Sequence, residues 1–172
     1  MKKEFETERK FLLKSLPNLN YKTKIITSQY YLVNKEDDSV KRISHTKKYS
    51  LPDNTMFAEK FTYVKKVKTS KLTAEEYTKN LTQEEFLLML KDAKSVIHKT
   101  RYIIESGNET WEIDQFHNID LVMAEVEILS DNEQTAEKEI SAVNIPDFIS
   151  DNLIMEVSGV KEFSNYFLSI KM

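Results

Sequence analysis

The motif ETERK, Glu6-Thr7-Glu8-Arg9-Lys10, stands near the start of this 172-residue chain and decides how the rest is interpreted. In a β-strand, successive side chains point to opposite faces, so Glu6, Glu8 and Lys10 would share one face. Two carboxylates about 7 Å apart, with a lysine beyond them, suit a divalent cation that holds a phosphate group. The same alternation also occurs on solvated edge strands, so the remaining strands must decide between the two interpretations.

The composition limits the kinds of phosphate site that the chain can build. The length predicts one domain, residues 1–172, with room for a hydrophobic core. The chain has only 2 glycines, which excludes a glycine-rich phosphate loop. A net charge of −3 gives no general attraction to nucleic acid. Any phosphate site must therefore be built from side chains.

The absence of cysteine and of long apolar stretches bears on location. Without cysteine, disulfides and thiolate zinc sites are excluded, which fits a reducing compartment. No stretch approaches the ~20 apolar residues of a membrane span, and the start of the chain lacks the apolar run of a signal peptide. We therefore expect a cytoplasmic protein without a membrane partner.

Alternating polar and apolar residues predict about eight strands, mostly joined by short turns. After the opening strand, the predicted strands are residues 25–33, 40–48, 56–68, 71–81, 96–104, 110–116, 121–129 and 153–158, with a hairpin loop at 34–39. Thr82 and Glu85 fit a capping box that begins a helix ending near residue 93. Further helices are predicted at residues 133–143, after Pro146, and at 161–171.

Charged residues recur on one face of several of these strands. Glu125 and Glu127 share a face in LVMAEVEIL, as do Lys99 and Arg101 in their strand. A charged lumen is stable only if its charges are arranged around a charged ligand. Because an antiparallel sheet of this size tends to close, we predict an α+β fold: a closed, eight-stranded antiparallel β-barrel with helices packed on the outside. Its interior would be a tunnel with carboxylates near one end and a basic lining for a polyanion.

The order and spacing of these motifs resemble the CYTH superfamily, the triphosphate tunnel metalloenzymes. The similarity runs from the first strand to the last helix. The matching positions are Glu6, Glu8 and Lys10 (ExExK), Arg42 in the basic strand, Lys99, Arg101 and Tyr102 (K-x-R-Y), residues 111–116 (W-E-I-D-x-F), 124–127 (A-E-V-E), 156–158 (E-V-T, here E-V-S) and 163–165 (aromatic-Ser-Asn).

The resemblance implies roles for these residues. Mg²⁺ or Mn²⁺ would be held by five carboxylates, Glu6, Glu8, Glu125, Glu127 and Glu156. A triphosphate would contact Lys10, Arg42, Lys65, Lys99 and Arg101. The ExExK residues Glu6, Glu8 and Lys10 would be catalytic. Glu76 and Asp114 would contact and orient the side chains that bind the metal and the phosphates.

The sequence also departs from the family pattern. The second arginine usual on the basic strand is Ser44 here, and Ala74 and Thr78 occupy two positions that are usually charged. Serine cannot reproduce the forked contact of arginine with phosphate, so the grip on triphosphate is weakened or the ligand differs. The lysine of the following strand is ambiguous: FTYVKK favours Lys65, but Lys60 lies on the opposite face and also fits.

Three functions follow, from different classes. The favoured one is a metal-dependent hydrolase of tripolyphosphate, a nucleoside triphosphate or thiamine triphosphate. The second is a class IV adenylate cyclase, which makes cyclic AMP from ATP. The third is a non-catalytic binder of polyphosphate or nucleotide, favoured by Ser44, Ala74 and Thr78. A small-molecule triphosphate is the expected partner in each case, nucleic acid is not, and a homodimer stays open.

Overall fold

The computed structural model describes residues 1–32 and 37–171. Nine strands lie in these ranges: β1 (Lys2–Leu13), β2 (Thr23–Leu32), β3 (Val40–Ser50), β4 (Thr55–Lys68), β5 (Thr73–Leu81), β6 (Ala93–Ser106), β7 (Glu109–Phe116), β8 (Val122–Ser130) and β9 (Leu153–Glu156). The helices in the same ranges are α1 (Gln83–Leu90), α2 (Glu133–Ala142), α3 (Asp147–Ser150) and α4 (Asn165–Lys171), with a 3₁₀ turn at Lys161–Phe163.

Eight strands close into an antiparallel barrel. Their order is β5-β4-β3-β2-β6-β7-β8-β1, and β1 pairs with β5 to complete the ring. The ninth strand, β9, pairs with residues 11–13 of β1, beyond the point where β5 ends. The α+β barrel predicted from the alternation pattern is therefore confirmed, with one strand added to its edge.

Most predicted elements are present, with shifted ends. The ambiguous segment 71–81 forms β5, and the predicted helix at 161–171 is divided into the 3₁₀ turn and α4. The strand predicted at 25–33 is confirmed to residue 32, and the hairpin loop predicted at 34–39 lies partly outside the described residues, which omit 33–36. No described helix combines the length and the apolar character that crossing a bilayer requires.

The capping box of α1 forms as predicted. The Thr82 hydroxyl accepts a hydrogen bond from the Glu85 N–H at 3.1 Å, and the Glu85 carboxylate accepts one from the Thr82 N–H at 2.8 Å. These two bonds satisfy donors that a helix start leaves unpaired. The helix buries Phe86 beside Phe61, with ring centroids 4.9 Å apart, on the outer surface of the barrel.

The main hydrophobic core lies outside the barrel, between its wall and the helices. Phe11 and Trp111 point outward from β1 and β7, with ring centroids 5.7 Å apart, and pack with Ile140 of α2 and Ile149 of α3. Because the outward side chains of these strands are apolar, the helices must cover them. The inward side chains are thereby free to be polar.

A second apolar cluster closes one end of the barrel. Inward side chains at the ends of five strands pack against three residues of the C-terminal segment. The strand residues are Leu12, Tyr31, Ile97, Phe116 and Met123, and the C-terminal residues are Val157, Phe163 and Leu168. We call this the closed end. At the opposite end, residues 52–60 of the β3–β4 hairpin are exposed to solvent, and we call this the open end.

Candidate functional site

Strand pairing places the charged residues of β1, β7 and β8 on the inner wall. Lys10 lies opposite Glu125, and Glu8 lies opposite Glu127, across the β1–β8 pair. Glu125 lies opposite Glu112 of β7. Directly opposite residues of paired strands share one face of a sheet. The predicted inward position of Glu6, Glu8, Lys10, Glu125 and Glu127 is therefore confirmed.

The inner carboxylates form two clusters that share one member. Carboxylate oxygens of Glu6, Glu8 and Glu127 lie within 4.8 Å of one another, and so do those of Glu112, Glu125 and Glu127. We call the inner faces of β1, β7 and β8, with these five side chains, the carboxylate wall. Glu112 was not assigned a role by the sequence motifs. The signal for it was present, because Glu112 shares a strand face with Asp114.

Among the residues that the structure describes, Glu127 is the member of the carboxylate wall without a basic partner. Among residues 1–32 and 37–171, no lysine or arginine nitrogen forms an ion pair with its carboxylate. Burial raises the pKa of Glu127 well above its usual value, and the nearby charges of Glu6 and Glu112 raise it further. This carboxylate is therefore the position where a cation would relieve the most repulsion.

Glu125, two residues away on the same strand, has the opposite environment. Burial alone would raise the pKa of Glu125, but the positive charges of Lys10, Lys99 and Arg101 hold that pKa well below its usual value. The Glu125 carboxylate lies 3.2 Å from the Lys10 ammonium group and 2.7 Å from the Arg101 guanidinium group. Lys10 also lies 3.2 Å from Glu8, and these carboxylates raise the pKa of Lys10 against the effect of burial. Glu125 is thus ionised and fixed in position.

Lys99 and Arg101 lie on the inner face of β6, as predicted. Both contact Asp114, whose side chain is fully buried: Lys99 through its ammonium group, and Arg101 through two nitrogens at 2.7 Å. Arg101 also pairs with Glu112. Burial and the neighbouring Arg101 lower the pKa of Lys99. Asp114 therefore orients the two basic side chains.

The lysine of β4 that faces the tunnel is Lys66, so the prediction of Lys65 is wrong. Lys66 lies 2.5 Å from Glu6 and 3.2 Å from Glu76. Lys65 points outward and pairs with Asp37 at 2.9 Å. Lys60 has the inward parity of Lys66 but is exposed at the open end. The two faces of β4 each alternate apolar residues with lysine, so alternation alone could not separate them.

Arg42 and Glu76 occupy the inner wall beside Lys66. Burial raises the pKa of Glu76, but the charge of Lys66, a hydrogen bond with Glu6 and the charge of Arg42 together lower that pKa to about 2. The Arg42 Nε is fully buried and has no hydrogen-bond partner among the described residues. A buried guanidinium nitrogen without a partner is rare and is suited to an anionic ligand.

Glu156 lies outside the tunnel, so its predicted inward position is wrong. Strand β9 places it opposite Phe11, which belongs to the outward face of β1. Its carboxylate accepts hydrogen bonds from Arg9 at 3.0 and 3.1 Å and from Ser158 at 2.6 Å. The Arg9 bonds lower the pKa of Glu156. Strand pairing, which the motif spacing does not report, decides this orientation.

Comparison with solved structures extends over nearly the whole chain. The inorganic triphosphatase NE1496 is 22% identical, with a TM-score of 0.55, over 97% of this chain and 95% of that one. The PH1819 protein of Pyrococcus horikoshii OT3 is 15% identical, with a TM-score of 0.60, over 79% and 84%. A Bacillus halodurans protein assigned provisionally as an adenylate cyclase is 17% identical, with a TM-score of 0.52, over 85% and 95%. No protein-family model and no curated protein matches the chain. At these identities the likeness shows a shared fold.

Proposed function

We infer, from the tunnel fold that this chain shares with the CYTH superfamily, that the protein is a divalent-cation-dependent hydrolase of triphosphate compounds. The observation that carries this proposal is the position of Glu127, which belongs to both carboxylate clusters and has no basic partner among the described residues. The fold alone does not imply the activity, since one fold supports many functions. The proposal therefore depends on the side chains of the tunnel.

The donor atoms of the two clusters fit Mg²⁺ or Mn²⁺. All of them are carboxylate oxygens, which are the ligands that hard divalent cations prefer. Glu6, Glu8 and Glu127 would hold one cation, and Glu112 and Glu125 with Glu127 a second. A bound cation supplies positive charge for the phosphate oxygens and lowers the pKa of bound water.

The basic residues next to the carboxylate wall would bind the phosphates. Arg42 offers its unpaired Nε, and Lys66 and Arg101 lie on the strands that flank the tunnel. Charge-assisted hydrogen bonds from such groups are about twice as strong as neutral ones. Because the apolar cluster closes one end, a linear triphosphate enters from the open end and places its terminal phosphate deepest. This arrangement orients the terminal phosphorus for attack by water.

Two other functions remain to be separated by experiment. An adenylate cyclase would hold ATP so that the ribose hydroxyl attacks the α-phosphate, and one solved structure with this fold is provisionally assigned that activity. A non-catalytic binder is favoured by Ser44, Ala74 and Thr78, which lower the charge of the wall. The three functions predict different products from the same incubation.

The test is incubation of the purified protein with tripolyphosphate, ATP or thiamine triphosphate in the presence of Mg²⁺ or Mn²⁺. We expect release of inorganic phosphate, its loss in EDTA, and its recovery when the cation is added in excess. Cyclic AMP with pyrophosphate would identify a cyclase, and binding without turnover a binder. Full activity after exhaustive chelation would contradict the metal role.

A further inference from the structure

Lys66 holds a positive charge beside the carboxylates to which the proposed function assigns a cation. Its ammonium nitrogen lies 2.5 Å from a carboxylate oxygen of Glu6. Carboxylate oxygens of Glu6, Glu8 and Glu127 lie within 4.8 Å of one another, and we call these three residues the first cluster. A cation bound about 2.1 Å from a Glu6 oxygen would lie next to the Lys66 ammonium group, and the two positive charges would repel each other. Lys66 and the cation are therefore alternative partners of Glu6.

Lys66 is less firmly fixed than the arginine of the other cluster. Arg101 is a basic partner of Glu112 and Glu125. It is also held by Asp114 through two nitrogens at 2.7 Å. A planar guanidinium group that contacts three carboxylates at once has little freedom to leave. Lys66 instead carries a point charge at the end of a flexible stem, so it can leave its carboxylate in a way that Arg101 cannot.

Glu76 offers Lys66 a second position. Its carboxylate oxygen Oε2 lies 3.2 Å from the Lys66 nitrogen, is buried, and has no hydrogen-bond partner among the described residues. The other oxygen of this carboxylate accepts a hydrogen bond from the Thr78 hydroxyl at 3.0 Å, which fixes the group in place. A buried acceptor without a partner is unfavourable. A turn of the Lys66 ammonium group from Glu6 toward Glu76 would satisfy this atom.

Arg42 marks the place where a phosphate group would meet Lys66. Arg42 lies opposite Val64 across the β3–β4 pair, and Lys66 is two residues further along β4 on the same inward face. Such diagonal neighbours are about 7 to 8 Å apart, within reach of two long side chains that bind one phosphate group. The Arg42 Nε is buried and unpaired among the described residues, so a phosphate oxygen bound there would also attract the Lys66 ammonium group. Phosphate binding therefore favours the release of Glu6.

We propose that Lys66 is a positioning residue that couples cation binding to phosphate binding. Without ligands, its ammonium group neutralises Glu6 in the absence of a cation. When a divalent cation binds the first cluster, Lys66 leaves Glu6, keeps its contact with Glu76 and donates a hydrogen bond to a phosphate oxygen beside Arg42. By linkage, each ligand then strengthens the binding of the other. This inference rests on the proposed function, because it takes the first cluster as a cation site and the tunnel as a phosphate site.

The test measures the Kd for Mn²⁺ from the electron paramagnetic resonance signal of the free ion, with and without sulfate. Sulfate is the probe because it is a tetrahedral dianion that, unlike tripolyphosphate, chelates Mn²⁺ weakly. In the unaltered protein we expect sulfate to lower the Kd for Mn²⁺ about fivefold or more, which is in the usual range for coupling between two sites. Chelation of Mn²⁺ by sulfate would act in the opposite direction, so it cannot produce this result.

Two substitutions of Lys66 should change this Kd in opposite directions. Lys66→Met removes the competing charge, so Mn²⁺ should bind about tenfold more tightly without sulfate, and sulfate should no longer change the Kd. Lys66→Arg keeps the charge, but its rigid fork suits simultaneous contact with Glu6 and Glu76, so Mn²⁺ should bind several-fold more weakly. Circular dichroism confirms that each variant is folded. If Lys66→Met is unfolded, Lys66→Arg decides: a Kd for Mn²⁺ no weaker than that of the unaltered protein would overturn the inference.

The matched control is Lys60→Met, which removes a lysine of the same inward parity on β4 that forms no ion pair within the described ranges. Lys60 is six residues from Lys66, about 20 Å along the strand, and its charge is exposed and screened by salt. The control should therefore keep the Kd for Mn²⁺ and the effect of sulfate within about twofold of the values for the unaltered protein.

Three results would overturn the inference. They are an equal gain in Mn²⁺ affinity from Lys60→Met and Lys66→Met, a sulfate effect that survives in Lys66→Met, and the absence of a sulfate effect in the unaltered protein. If the unaltered protein binds no Mn²⁺, the proposed function falls and the inference falls with it. If it binds Mn²⁺ and Lys66→Met binds the ion no more tightly, the inference alone falls.

Discussion

The carboxylate wall and the opposite wall of the tunnel are built on the same barrel, yet they use charge in different ways. On β1, β7 and β8, five carboxylates form two clusters that share Glu127, which has no basic partner among the described residues. On β3 and β4, Arg42 and Lys66 occupy inward positions near the closed end, and Lys48 and Lys60 occupy inward positions nearer the open end. In the proposed function, cations would complete the first wall and an anionic ligand the second. The contrast shows that facing walls of one barrel carry charge of opposite sign.

The largest expected effect comes from removing the shared carboxylate. Glu127→Gln should lower phosphate release from tripolyphosphate about a hundredfold or more, because both cation clusters lose a ligand. The rate is measured at saturating substrate and excess Mg²⁺. Retention of full activity would mean that the carboxylate wall is structural.

Glu125→Gln is the matched comparison for that variant. It should also reduce activity, but the two variants should differ in stability in EDTA. Glu125→Gln leaves Lys10 and Arg101 with fewer partners and should lower the free energy of unfolding, whereas Glu127→Gln removes repulsion and should not. Urea denaturation at pH 8 separates the two, and equal losses would contradict the environments described above.

The second prediction compares two neighbouring lysines on opposite faces of the barrel. Lys66→Met leaves Glu6 and Glu76 without their basic partner inside the tunnel and should cost about 3 kcal/mol of unfolding free energy. Lys65→Met breaks an exposed pair with Asp37 and should cost less than about 1 kcal/mol. Both values come from urea denaturation at pH 7 in EDTA. Reversal of the order would place Lys65 in the tunnel.

The smallest expected effect is the pH dependence of stability without metal. The native pKa of Glu127 is raised, so the folded state binds the proton more tightly than the unfolded state does. This contribution is fully present below the unfolded pKa of about 4.5 and is lost as the pH rises through the native pKa. We expect the Tm in EDTA to fall by a few degrees from acidic to mildly alkaline pH.

Two comparisons test the origin of that decline. In Glu127→Gln the fall of Tm with pH should be smaller, because the titrating group is gone. Excess Mg²⁺ should raise the Tm of the unaltered protein more at pH 8 than at pH 5, since the cation replaces the proton. A Tm that rises with pH in EDTA, with no effect of the substitution, would assign the repulsion elsewhere.

Much of the fold and of the site was predictable from local pattern. Alternation with a period of two identified the strands and placed Glu6, Glu8, Lys10, Lys99 and Arg101 on the face that became the tunnel wall. The capping box located the start of α1 at Thr82. These features depend on residues a few positions apart, and side-chain direction within one strand is a local property.

Tertiary structure decided what depends on which strands lie side by side. Glu127 is shared by two clusters because β8 is held between β1 and β7. Lys66 rather than Lys65 faces inward, and Glu156 faces outward, because strand pairing fixes which face of β4 and β9 is enclosed. Alternation separates the two faces of a strand, but only barrel closure, a contact between residues far apart in the chain, determines which face is the inside.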